Sequence, residues 1–155
     1  MIRTLTLLLT YVICAQTSFA QDRNAFLGAW ELTKIERKDD QGDWRNVAPA
    51  TTRFRGSIIY TPSGIMAAQL HLEDREAGSE ILRTIPEYVN GYVAYYGTYS
   101  VDSENKVVTH YRRGHVNNDS VLDVDRAYIF QDDLLILSPM PERDVRLVWK
   151  KVVPE

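Results

Sequence analysis

The sequence predicts an all-β protein, an antiparallel barrel of about eight strands with one short helix between strands, and three observations carry that prediction. Short segments with apolar residues at every second position recur from residue 28 to residue 152. Clusters rich in Pro, Gly, Asp and Asn separate them at the spacing of a barrel or sandwich. The first segment opens with Gly28-Ala29-Trp30, which places a large aromatic side chain where it can plug one barrel end.

Residues 1–20 read as an export signal, so the domain itself is expected over residues 21–155. Arg3 supplies the positive start, residues 5–15 the apolar run, and Ser18-Phe19-Ala20 a small-x-small cleavage site. The run is too short to span a bilayer, and no integral membrane segment is expected after processing. Cys14 follows the bulky Ile13, which argues against lipid attachment. A periplasmic or secreted location follows. Cleavage removes the single cysteine, so the hydrophobic core must hold the exported domain without disulfides. It also removes Arg3 and no carboxylate, taking the formal charge from −3 to −4. With no basic face, nucleic acid is not an expected partner.

Along the domain, residues 30–37 alternate and end in the polar turn 39–43. Residues 56–60 and 65–72 flank Thr61-Pro62-Ser63-Gly64, whose Pro and Gly suit a tight hairpin. Residues 97–101 and 107–116 flank a second polar turn, residues 122–130 and 134–137 a third, and residues 145–152 close the chain. One stretch breaks the pattern. Ile85, Tyr88, Val89, Tyr92, Val93 and Tyr96 fall on a single helical stripe, with Thr84 as N-cap and Gly97 as stop. This is the expected short helix, packed either over a barrel mouth or on the outer wall.

The stretches Gly28-Ala29-Trp30-Glu31-Leu32, residues 58–64 followed by Met66, Ala68, Gln69 and Leu70, residues 91–99, Val108-Thr109-His110 and Leu147-Val148-Trp149-Lys150 occur in an order that resembles the bacterial and fungal lipocalin-like domain family. The resemblance implies a calycin-type barrel. It implies no particular activity, and residues 73–82 and those after His115 do not follow the family pattern.

The candidate ligand-binding residues are Arg126, His110, Tyr128, Tyr99, Tyr60 and Met66. In residues 122–130 the more apolar face carries Val124, Arg126, Tyr128 and Phe130, which puts a guanidinium inside the barrel wall. A buried charge needs a partner. That partner is either a structural one, Trp30 or an internal carboxylate or carbonyl, or the carboxylate or enolate of a ligand. His110 shares a face with Val108 and Arg112 and has the chemistry of an acid or base near neutrality. Tyr60, Tyr99 and Tyr128 add hydroxyls to an apolar lining, which suits an amphipathic ligand, and Met66 lies on the apolar face of its strand with Gln69 on the other.

No metal is expected, because His110 and His115 stand at an odd spacing and no other ligand cluster joins them. The chain carries no P-loop, dinucleotide fingerprint or nucleophile elbow, so no cofactor is expected. Three functions remain. The first is an exported barrel that binds a small hydrophobic or amphipathic molecule. The second is a cofactor-independent isomerase or cyclase acting on a polyketide-like or terpenoid substrate. The third is a filled barrel acting as an envelope or enzyme-inhibitor interaction protein, with residues 21–24 as an arm.

Overall fold

A computed structural model describes residues 22–48, 53–73, 92–116 and 123–153. The expected leader, residues 1–20, lies outside them. A short helix, α1, covers residues 22–26. Nine strands follow: β1 Gly28–Lys38, β2 Trp44–Asn46, β3 Phe54–Tyr60, β4 Ile65–Leu72, β5 Tyr92–Asp102, β6 Val107–His115, β7 Asp123–Gln131, β8 Leu134–Pro139 and β9 Val145–Lys151.

Every neighbouring pair is antiparallel, and β1 pairs with β9 as well as with β3, so eight strands close into a barrel. Closure leaves no long unpaired edge, the usual reason such sheets curl shut. β2 is the extra strand. It pairs with the end of β1, on the edge that the start of β1 gives to β3.

Alternation decides which side chains point inward. On β4, Met66, Ala68, Leu70 and Leu72 are buried while Ile65, Ala67 and Gln69 are exposed, in accord with the outward reading of Gln69. On β7, Arg126 and Tyr128 are buried and Ile129 is exposed, the face expected from the sequence. β1 changes phase midway. Its register with β9 shifts between Leu32 and Lys34, and the Thr33 hydroxyl donates to the Val148 carbonyl at 2.8 Å. Beyond this bulge Ile35 and Arg37 stand opposite Leu147 and Val145, two residues packed on the core. Glu36 is thereby turned outward. It stays buried under Lys34 and Arg146, and Arg146 lies 4.2 Å from the Trp44 ring centroid.

The three short hairpin turns, 61–64, 103–106 and 132–133, gather at one end of the barrel, and α1 fills that end. Phe26 is fully buried, and the rings of Tyr60, Tyr128 and Phe130 meet it edge-on at 5.1, 4.9 and 5.0 Å. The Trp30 indole donates to the Phe26 carbonyl at 2.7 Å. Lys151 completes the floor. Its ammonium lies 4.3 Å from the Trp30 ring centroid and donates to the carbonyls of Ala25 and Leu27, where the exposed carbonyls of a helix end favour a cation. At the other terminus of α1, Asp22 accepts from Tyr128 at 2.6 Å and from Lys106 at 2.5 Å. Residues 22–24 are thus held to the barrel by Asp22 rather than standing off as an arm. Gly28 links helix to strand at φ 106°, a conformation that L side chains rarely adopt.

The helical stripe expected up to Tyr96 is corrected in its second half. Tyr92, Val93 and Tyr96 lie on β5, where Val93 is buried while Tyr92 and Tyr96 are exposed. Pairing along both edges of β5, with β4 and β6, overrides the local helical periodicity. Residues 84–89 of the stripe fall outside the described residues.

Candidate functional site

Three adjacent strands bring polar side chains into the apolar barrel. β5 turns Val93, Tyr95, Gly97 and Tyr99 inward, β6 turns Val108, His110 and Arg112, and β7 turns Arg126. Register sets their order: Tyr99 stands opposite His110, Gly97 opposite Arg112, and Val108 opposite Arg126. The strands come so close at Gly97 that a Cβ there would lie 2.0 Å from the Tyr111 carbonyl oxygen.

His110 is the centre of this cluster and has no exposed surface. Its Nε2 lies 2.8 Å from the Tyr60 hydroxyl and its Nδ1 3.0 Å from the Tyr95 hydroxyl. The Tyr99 ring meets Tyr60 edge-on at 4.9 Å, while its own hydroxyl donates to the Thr61 carbonyl at 3.0 Å. The Arg112 guanidinium lies over the Tyr95 ring at 5.5 Å, and the Tyr95 ring also stacks on His115 at 5.8 Å.

Burial, and after it the charges of Arg126 and Arg112, holds His110 well below the ordinary histidine range, so the imidazole is neutral at physiological pH. Burial likewise pushes the Tyr60 phenol well above its usual range. Two cationic side chains belong to the cluster. Arg112 and Arg126 are 3% and 7% exposed, and the one buried carboxylate among the described residues, Glu36, faces outward onto Lys34 and Arg146.

The lipocalin-like domain family matches residues 27–152, nearly the whole barrel. The chain belongs to this family. No curated protein matches it. A lipocalin-like barrel points to ligand binding in general, and the lipocalin-like residues expected at the site can now be placed. Arg126, His110, Tyr60 and Tyr99 come together. Met66 stands opposite Tyr60 in the β3–β4 register and forms apolar wall. Tyr128 is separated from them and belongs to the floor, with its hydroxyl on Asp22 and its ring on Phe26.

Two members of the cluster, Tyr95 and Arg112, were not among the expected site residues. Alternation was the signal for both. Val93, Tyr95, Gly97 and Tyr99 repeat with period two, and Arg112 follows Val108 and His110 on one face. Of the structural partners proposed for Arg126, Trp30 has its indole covered by Lys151.

Two further inward donors stand on the opposite wall. The Arg37 Nε and Trp149 Nε1 atoms are buried and meet no acceptor. Among the described residues no three His, Cys, Asp or Glu side chains converge as a metal site, and no helix is long and apolar enough to cross a membrane. A groove of ≈ 600 Å³ runs along β3–β6, lined by Ile59, Ala67, Gln69 and Tyr96 and also by Tyr95 and His115.

Proposed function

We propose that this chain is an exported lipocalin-like protein that binds a small amphipathic molecule, the acidic or enolic head among Arg126, Arg112 and the tyrosines, the apolar part along the barrel lining. One observation carries the reading: two buried guanidinium groups and a neutral histidine are turned inward, while the one buried carboxylate among the described residues faces out. A carboxylate or enolate head adds charge-assisted hydrogen bonds to such guanidinium groups. The buried Arg37 Nε and Trp149 Nε1, which meet no acceptor among the described residues, point to the same kind of ligand, one rich in acceptor oxygens.

Replacing Arg126 tests this. Arg126→Met keeps the volume of the side chain and removes its charge and donors. The variant is expected to bind a dansyl-labelled fatty acid at least tenfold more weakly, with a urea midpoint equal to or above that of the parent. Unchanged binding with stability lowered by about 3 kcal/mol would instead make Arg126 a structural brace. Export is tested separately. Protein recovered from the producing cell's envelope or medium should begin at Gln21, and an intact residue 1 would refute the leader.

A further inference from the structure

The hydrogens in the Tyr60–His110–Tyr95 chain do not balance. A neutral imidazole carries one N–H and one acceptor nitrogen. Each tyrosine brings one hydroxyl hydrogen, so the three groups hold three hydrogens, yet only two contacts join them, Tyr60 to Nε2 and Nδ1 to Tyr95. One tyrosine must donate to His110. The other must accept from it, and its own hydrogen is left for a third group.

We infer that Tyr95 holds this surplus hydrogen and donates it to a ligand oxygen, with His110 protonated on Nδ1 and Tyr60 donating to Nε2. Burial decides between the two tyrosines. Tyr60 is 1% exposed, edge-on to the rings of Phe26 and Tyr99, and among the described residues its hydroxyl has His110 as its one hydrogen-bond partner. A hydrogen left without an acceptor is least tolerable there. Tyr95 is 7% exposed and lies further from the plugged floor, on the side of Val93 and His115. The distances have the same sense, since 2.8 Å suits an O–H donor and 3.0 Å an N–H donor.

The assignment rests on the ligand-binding reading and sharpens it. The Tyr95 hydroxyl, with the Arg112 guanidinium over its ring, forms a place for one oxygen of a carboxylate. Tyr60 and His110 then act as positioning residues, which fix the direction of the Tyr95 hydrogen.

Nitrogen-15 NMR of the imidazole in the ligand-free protein reads the tautomer directly. A pyrrole-type Nδ1 and a pyridine-type Nε2 are expected at His110, and the reverse pattern overturns the assignment. In a second measurement, Tyr95→Phe is expected to bind the dansyl-labelled fatty acid about tenfold to a hundredfold more weakly at an unchanged near-ultraviolet circular dichroism spectrum. Equal affinity in the folded variant overturns the role of Tyr95 while leaving the ligand reading in place. Failure of the parent protein itself to bind the acid overturns the ligand reading and the role of Tyr95 with it.

Discussion

The floor of the barrel and the polar cluster above it are built from the same kinds of residue to opposite effect. In the floor, Phe26, Trp30 and Phe130 interlock, and each polar group that enters is matched locally: the Trp30 indole by the Phe26 carbonyl, Lys151 by the carbonyls of Ala25 and Leu27, Tyr128 by Asp22. In the cluster, aromatic rings serve as a frame for polar heads, with two guanidinium groups and a histidine between two tyrosine hydroxyls turned inward. The difference teaches where stability and binding are kept apart. A matched, close-packed end gives rigidity, whereas a donor-rich interior offers groups that a bound molecule can meet.

The largest test of this division is at the floor. Phe26→Ala and Trp30→Ala are each expected to cost about 3 to 5 kcal/mol in urea unfolding, because both side chains are buried with no room for the surroundings to collapse. A loss below about 1 kcal/mol at either would show that the plug does not hold the barrel.

The next effect is a pH dependence that belongs to the cluster. His110 is held neutral in the fold, whereas in the unfolded chain it takes up a proton near pH 6.5. Below pH 6.5 the unfolded state therefore binds a proton that the native state refuses. The contribution to stability is complete above that value and falls, by up to about 1.4 kcal/mol per pH unit, until the lower folded-state value is passed. Asp22, depressed by hydrogen bonds from Lys106 and Tyr128, and Glu36, where the bonds from Lys34 and Arg146 outweigh burial, add their losses only below ordinary carboxylate values. Between pH 6.5 and about 4.5 the slope is assigned to His110, and His110→Gln should flatten it. A slope unchanged in that variant would place the titration elsewhere.

A smaller effect separates charge from packing within the floor. Lys151→Met keeps the aliphatic stem over Trp30 and removes the cation from the helix end, at an expected cost of about 1 to 2 kcal/mol by thermal or urea denaturation. The smallest effect is outside both regions. Trp44→Ala removes a half-exposed ring beneath Arg146 and should cost about 1 kcal/mol or less. Equal losses at Trp44 and Trp30 would erase the distinction between the outer ring under Arg146 and the floor.

The hairpins were legible because their turns carry strong local chemistry. Thr61-Pro62-Ser63-Gly64 joins β3 to β4 as its residues require, with Gly64 at φ 82°. The inward face of β7 was legible for a related reason: a two-residue period survives even with Arg126 in it. The inward cluster was legible one residue at a time, through Arg126, His110, Tyr60 and Tyr99, and incomplete at Tyr95. There the helical stripe that includes Tyr92, Val93 and Tyr96 competed with the strand alternation of Val93, Tyr95, Gly97 and Tyr99, and no local rule ranks one above the other. Tyr128 lies at the floor, apart from the cluster, because facing inward does not say how deep along the barrel a side chain lies.

By itself, then, the sequence determined the all-β barrel, its turns, its family and the faces on which most polar side chains would lie, because these follow from turn chemistry and a period of two. Only the tertiary structure decided that α1 closes the floor with Phe26, that Lys151 lies over Trp30, and that His110 stands between Tyr60 and Tyr95. Those contacts join residues far apart in the chain, across β3, β5 and β6 or from α1 to β9. Their existence depends on register and barrel closure, which arise when the strands pair and which no short window of sequence contains.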